Sequence, residues 1–272
     1  MKTIKTYVIN LDTEHERRKR ITSHLKELGL NFALFKGLRW KDLPSDLHSL
    51  FFDASGSPHN PRLTLGEIGC YASHLSLFRQ LAQEDRDTAY FILEDDAILD
   101  PRTRSILAAI QQTYPLIQFD FLNFRHLKRS CPIRRVPLDG HEGIFLSVPW
   151  IPSLSGVAYI ITQQGAVNYL SYLKDIRHCE IIHPFDIDFR NAFFEGFLNI
   201  WEVVGFVLKR QKLESSIDRE SRGRRRIRHS TKREIILKAV QKHGPRHMHM
   251  VLPFLYHAYR NKLLYKLTRH RE

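Results

Sequence analysis

The sequence predicts an α/β fold, with helices packed on a largely parallel sheet. Three stretches carry that expectation. Residues 4–35 read as strand, polar turn, helix and strand, the βαβ unit of a nucleotide-binding sheet. Tyr90-Phe91-Ile92-Leu93 is an unbroken apolar run, as in a strand buried on both faces, and it runs straight into Glu94-Asp95-Asp96. Ser155 to Ile161 repeats the buried-strand pattern and leads into a helical one. With 272 residues, 43% hydrophobic and 26% charged, the chain can bury one large core and extend a tail beyond it.

Charge locates the tail. Residues 219–272 hold 16 Lys or Arg against 3 Glu, which accounts for the whole net charge of +13; residues 1–218 hold 26 of each sign. We therefore divide the chain into a neutral domain, 1–218, and a basic C-terminal tail, 219–272. Such a tail suits an anionic surface, either membrane or nucleic acid. The neutral body and its acidic strand end give no electrostatic footprint for nucleic acid. No apolar run approaches a membrane span, and the N-terminus lacks a secretory apolar segment. Cys70, Cys131 and Cys179 are odd in number and far apart, which argues against a disulfide framework or a zinc site and for a reducing, cytoplasmic location.

The elements follow in order. Ile4–Leu11 is a strand whose turn carries Asn10, and Thr13 with Glu16 has capping-box spacing for a helix reaching Leu28. Arg17 and Arg18 open that helix, where its N-terminus and two guanidinium groups suit a phosphate; a solvated helix face explains the same residues. Phe32–Phe35 is a second strand, and 38–62, with Pro44, Pro58 and Pro61, reads as an irregular excursion. Thr64 and Glu67 form a second capping box for a helix to about Gln83, with Ile68, Ala72, Leu75, Phe78 and Ala82 as its core stripe. Glu67 and His74 lie on that helix at helical spacing. His74 can reach substrate, although a lone helical histidine is ordinarily just hydrogen-bonded.

Beyond the acidic strand, Pro101–Thr113 is helical, Phe119–Phe124 a strand, and Pro132–Pro152 hairpin material. A helix follows from Gln163 to Leu173, and Trp201–Leu208 is the last strand. His183-Pro184-Phe185-Asp186-Ile187-Asp188 sets two acids two residues apart, either catalytic or, for Asp186, a helix cap. In the tail, Thr231–His243 and 252–270 are helical, the second with Leu255, Tyr259 and Leu263 in a stripe flanked by bases, as in a helix lying on an anionic membrane or docked on the body.

The acids carry the chemistry. Three consecutive carboxylates repel one another and resist burial, so a positive partner is expected. Strand alternation aims Glu94 and Asp96 one way and Asp95 the other. Two hard carboxylates projecting together suit Mg²⁺ or Mn²⁺ bearing a diphosphate; a bare acidic triplet is ordinarily a solvated turn, and the buried strand leading into this one favours a site.

Together these pieces resemble the bacterial lipooligosaccharide glycosyltransferases of glycosyltransferase family 25, whose best-known members are β-galactosyltransferases. The resemblance rests on Val8-Ile9-Asn10-Leu11 with Arg17-Arg18, Gly66-Glu67-Ile68-Gly69-Cys70 with Ser73-His74, and Ile92-Leu93-Glu94-Asp95-Asp96. It continues through Gly156–Ile161 and Pro184-Phe185-Asp186 to Gln211 with Ser215-Ser216-Ile217. It implies a GT-A-like single domain around a mixed, mostly parallel sheet, a UDP-sugar donor, and a divalent metal at Glu94 and Asp96. It also implies inversion and an acceptor on the lipid A-core oligosaccharide. Asp186 matches the motif for the general base, with Asp188 as the spare. Asn10, Leu11, Arg17, Asp95, Ser155, Gly156, Ser215 and Ser216 would hold the donor, and Glu67 and His74 would contact or support the acceptor. Two features depart from the pattern: Lys36 stands before Gly37 where relatives more often carry an acid, and the arginine-rich tail has no counterpart. The membrane-borne acceptor makes the tail a peripheral contact on the cytoplasmic face of the inner membrane. Two rival classes use the same features: a nucleotidyl- or phosphoryl-transferase, for which no Gly-rich phosphate loop is present, and a nucleic-acid-binding protein using the tail.

Overall fold

The computed structural model describes residues 1–125, 131–153, 155–210 and 231–256. Its strands are β1 (Thr3–Asn10), β2 (Ala33–Lys36), β3 (Thr88–Glu94), β4 (Ala97–Ile98), β5 (Phe121–Asn123), β6 (Pro132–Pro137), β7 (Phe145–Pro149), β8 (Ala158–Thr162), β9 (Ile200–Val204) and β10 (Lys209–Arg210). Its helices are α1 (His15–Glu27), α2 (Ser45–Phe51), α3 (Leu65–Ala82), α4 (Thr103–Ile117), α5 (Gln163–Asp175), α6 (Phe185–Phe194) and α7 (Lys232–His243). The main sheet runs β2-β1-β3-β8-β5-β9-β7-β6, and β4 pairs separately with β10. Only β8 and β7 run against the direction of the others, so the sheet is mixed and mostly parallel, as expected.

The period-two pattern of β3 sorts the layers. Ala89, Phe91 and Leu93 face α1 and α4, burying Ile21, Leu25, Ile106 and Ile110 on that side. Tyr90 and Ile92 face the opposite layer, where α2, α3, α5 and α6 contribute Phe51, Leu75, Phe78, Tyr169 and Phe189. Continuing the alternation past Ile92 sends Glu94 toward α3 and Asp95 toward α1.

Several local details differ from the sequence reading. The first helix has no side-chain cap: Glu14, not Thr13, is the capping position. Thr64 and Glu67 do form a reciprocal capping box. The excursion at 38–62 contains a single 3₁₀ turn, Trp40–Asp42, and α2, whose Leu47, Leu50 and Phe51 are buried; the flanking prolines concealed this short amphipathic turn. Asp186 is not the cap of α6, since the capping position falls on Pro184, which offers no side-chain cap; Asp186 and Asp188 both sit in the first turn, where acids favour the positive helix end. The last strand breaks after Val204, and Lys209-Arg210 reappear as β10 against Ala97-Ile98.

The described part of the tail packs on the body. Ala239 and Phe254 are buried with Trp150, Ile151 and Cys131, joined by Ile235, Ile236, Val240 and Leu255. Lys242 lies 4.4 Å over the Phe193 ring, and Lys238 reaches Glu195 at 3.4 Å. The remaining tail features, the arginine run and Tyr259 and Leu263, lie outside the described residues, as does the boundary near 218.

Candidate functional site

The parallel strands β1, β2 and β3 end side by side, and their carboxyl ends frame the crevice where open α/β sheets bind ligands. Asn10 closes β1, and Gly37, just past β2, donates its backbone N–H to the Asn10 carbonyl at 2.8 Å. Asp95 points back to this corner: it accepts from Asn10 Nδ2 at 2.7 Å and from Arg17 at 2.6 Å. Arg18 in turn donates to Asn10 Oδ1 at 2.7 Å. Asp95 is thus spent on fixing the first turn of α1, and burial raises its pKa against the pull of Arg17.

Glu94 and Asp96 share a different cation. Arg210 donates to Asp96 Oδ2 at 2.8 Å and to Glu94 Oε2 at 3.1 Å. The short ladder between β10 and β4 sets it there, with Arg210 opposite Ala97. The other Asp96 oxygen, Oδ1, is buried without a hydrogen-bond partner among the described residues. Burial pushes Glu94 up to about 7, with Asp96 and Asp95 adding to the effect and Arg210 opposing it.

Behind Glu94 stands His74, fully buried. Its Nδ1 meets the Tyr159 hydroxyl at 2.6 Å, and its ring stacks on Phe185 at 4.2 Å between centroids. Among the described residues its Nε2 has no hydrogen-bond partner, and it lies 4.0 Å from Glu94 Oε1. Burial holds this imidazole down at about 3, so it is neutral at ordinary pH. Gly156 passes so close that a Cβ there would lie 3.1 Å from Glu94 Oε1 and 3.4 Å from His74 Nε2.

Two cavities open on these groups. The first, about 300 Å³, is lined by Leu11, Arg17, Trp40, Ser73, Glu94 and Asp95 among others. The second, about 220 Å³, is lined by Glu67, Arg125, Ser155, Gly156, Phe185 and Asp186 among others. Cys70, Glu94 and Arg210 belong to both, so the two meet over the acidic strand end. The backbone wall of the first depends on Gly69, where a Cβ would stand 2.5 Å from the Leu38 carbonyl oxygen. Ser73 ties the same loop by accepting from Leu38 N–H at 2.8 Å. Gly69→Ala is therefore expected to push residues 38–41 off α3, lowering the melting temperature and weakening any ligand of the larger cavity. A variant with unchanged melting and unchanged binding would contradict that role.

The candidate residues thus divide. Leu11, Arg17 and Asp95 line the larger cavity with Asn10 bonded to Asp95 behind them, and Ser155, Gly156, Glu67 and Asp186 line the smaller one. Burial raises Asp186, and the charge of Arg190 opposes it. Ser215 and Ser216 lie outside the described residues. Asp188 is not brought to either cavity. It is fully buried on the far side of α6, accepting from Arg177 at 2.8 Å, Tyr71 at 3.1 Å and Tyr172 at 3.3 Å.

Burial pushes Asp188 up to about 6, with Arg177 and the Tyr71 hydroxyl opposing. Because the folded value lies above the ordinary 3.8, the stability this group contributes is complete below about pH 4 and is lost as pH rises to about 6. Asp188→Asn is expected to flatten that part of the stability–pH curve. Urea midpoints measured across the window check it, and an unchanged slope in the variant would count against it.

Sequence reasoning missed Arg210, Cys70, Trp40, Arg125 and Tyr159. Arg210 is one of 42 basic residues with nothing local to single it out. Cys70 and His74 did carry a signal, since four residues apart on a helix is the same face.

The family model described as Glycosyltransferase family 25 (LPS biosynthesis protein) matches residues 3–189. A "Glycosyltransferase 25 family member" of Drosophila pseudoobscura pseudoobscura is 25% identical over 183 residues, covering 61% of this chain and 26% of the relative. "Lipooligosaccharide biosynthesis protein lic2B" of Haemophilus influenzae is 33% identical over 176 residues, covering 61% of each chain. "Procollagen galactosyltransferase 1-B" of Xenopus laevis is 28% identical over 95 residues, 33% of this chain and 15% of the relative. The chain thus spans only part of the length of these relatives. The family match takes in β1, the helix carrying Cys70 and His74, the acidic strand end and Asp186, the same elements that frame the two cavities. The chain belongs to glycosyltransferase family 25.

Proposed function

We propose that this chain transfers a sugar, galactose first among the candidates, from a UDP-sugar to the core oligosaccharide of a lipooligosaccharide, with inversion at the anomeric carbon. The observation that carries the reading is the meeting of two cavities at Glu94 and Arg210. A transferase needs donor and acceptor in contact at one point, with cationic help for the leaving diphosphate. The names of the Haemophilus and Xenopus relatives support the acceptor class and galactose respectively.

The larger cavity suits the donor. Arg17 at the α1 N-terminus can meet phosphate oxygens, and the half-exposed Trp40 ring offers a face for the uracil. The smaller cavity suits the acceptor, with Asp186 placed to take the proton from the attacking hydroxyl. Arg210 spans the junction, where it can turn from the carboxylates to the departing diphosphate.

The donor set at Glu94 and Asp96 fits a hard divalent ion, Mn²⁺ or Mg²⁺, because their oxygens share one cation and Asp96 Oδ1 is buried with no partner among the described residues. Such an ion, when bound, would neutralise charge growing on the diphosphate.

A UDP-release assay over a panel of UDP-sugars, with and without delipidated core oligosaccharide, tests the reading. Release that depends on both substrates is expected; acceptor-independent formation of a sugar phosphate or a nucleotidyl product would indicate the rival transferase class instead.

The tail supports a peripheral membrane contact. Among the described residues no helix is long and apolar enough to cross a membrane. Leu237, Met248, Leu252 and Tyr256 nonetheless remain exposed on the basic segment. Each Lys or Arg near an anionic surface adds about 1 kcal/mol. Full-length protein is expected to co-sediment with anionic liposomes at low salt and to release at high salt. Protein that ignores such liposomes at low salt would sink the membrane contact. Removal of 219–272 is not a clean alternative, since it uncovers Trp150 and Ile151.

A further inference from the structure

We propose that Cys70, His74 and Glu94 form a three-ligand site for a borderline-soft divalent cation of the zinc class, separate in its chemistry from the hard-cation pair Glu94 and Asp96. Four observations converge on it. One ligand atom from each of the three residues lies within 4.8 Å of the others. His74 Nε2 is fully buried, has no hydrogen-bond partner among the described residues, and faces Glu94 Oε1 at 4.0 Å. Its other nitrogen is fixed by the Tyr159 hydroxyl at 2.6 Å, the kind of outer contact that orients a metal-ligating imidazole. Finally, Gly156 leaves Glu94 room, since a Cβ there would crowd Glu94 Oε1 at 3.1 Å while only touching His74 Nε2 at 3.4 Å.

The donor types select the ion. Thiolate, imidazole and one carboxylate suit zinc or cobalt and disfavour magnesium. With zinc bonds of about 2.0–2.3 Å, ligand atoms stand roughly 4 Å apart or less. An adjustment of about 1 Å at Cys70 and Glu94 would therefore close the set around a fixed His74. Cys70 and Glu94 both border the two cavities, which leaves the fourth position open to water or a substrate oxygen. The sequence argued against a zinc site because the three cysteines lie far apart; this proposal departs from that reading, since it needs one thiol and the fold supplies the other ligands. Occupancy would draw Glu94 away from Arg210 and from the diphosphate site, so zinc-class ions would inhibit. That consequence, unlike the binding itself, rests on the donor site proposed above.

Cobalt titration of the full-length protein, followed by absorption spectroscopy, tests the binding without donor or acceptor. A saturable thiolate-to-cobalt charge-transfer band is expected. It should vanish in Cys70→Ser and weaken in Gly156→Ala, where all three ligands remain but a methyl crowds Glu94 Oε1. Tyr159→Phe should weaken cobalt binding by about 10–100-fold. Cobalt taken up by His243, His247 or His249 would give no sulfur band. A band that survives Cys70→Ser, or one unaffected by Gly156→Ala, would overturn the site, as would no band at all in the wild type. Should Cys70→Ser fail to fold, Gly156→Ala carries the test. In the transfer assay, zinc should inhibit the wild type and lose its effect in Cys70→Ser relative to that variant's own zinc-free rate. Cobalt binding without transfer leaves this site standing while the functional proposal fails, and transfer without the band does the reverse.

Discussion

Asp186→Asn is expected to leave UDP binding intact while lowering kcat by about 10²–10⁴-fold, the usual scale for loss of a general base. The side chain sits in the first turn of α6, facing the cavity that also holds Ser155, Gly156 and Glu67. The amide keeps its size and its place in the helix but cannot take a proton. Asp188→Asn should act through stability instead, because its carboxylate is held among Arg177, Tyr71 and Tyr172 away from either cavity. Calorimetry with UDP and steady-state kinetics on both variants separate the two. If Asp188→Asn alone lost kcat with folding and UDP binding preserved, the assignment would be reversed.

Asp96→Asn is expected to come close to abolishing transfer while leaving the melting temperature unchanged or higher. Asp96 is buried beside two other acids, and its Oδ1 has no hydrogen-bond partner among the described residues, so the amide removes a like charge from the triplet without changing its size. Its partner Arg210 is half-exposed and can be solvated when the charge is removed. The activity loss follows because Glu94 alone makes a poor ligand set for a hard divalent ion. Excess chelator should mimic the variant. Full transfer in chelator, or in Asp96→Asn, would end the hard-metal reading.

The parts of this molecule written in local sequence were legible. Alternation along Tyr90–Asp96 gave the faces of β3 and, with them, the opposite destinations of Glu94 and Asp95. The Thr64–Glu67 box gave the start of α3 because both partners of a cap lie within one turn. The need for a positive partner near three acids was equally plain from electrostatics, but its identity was not. Arg210 lies 114 residues from Asp96 and arrives through a two-residue strand paired with β4, a contact that no periodicity announces. The two aspartates of α6 looked equivalent in sequence, and only tertiary packing gives one to a cavity and the other to a tyrosine cluster. Likewise Thr231–His243 reads from sequence only as a helix of the basic tail, and the fold uses the apolar side of α7 to cover Trp150.

The central claim is that donor and acceptor meet over Glu94, with Asp186 activating the acceptor for direct displacement. Determining the product of one UDP-sugar and one core oligosaccharide by mass spectrometry and anomeric NMR tests it most directly. One added sugar, with configuration opposite to that of the donor, is the expected result for wild type. Retained configuration would remove Asp186 as the base for direct displacement. An unmodified acceptor with every UDP-sugar would contradict the account as a whole.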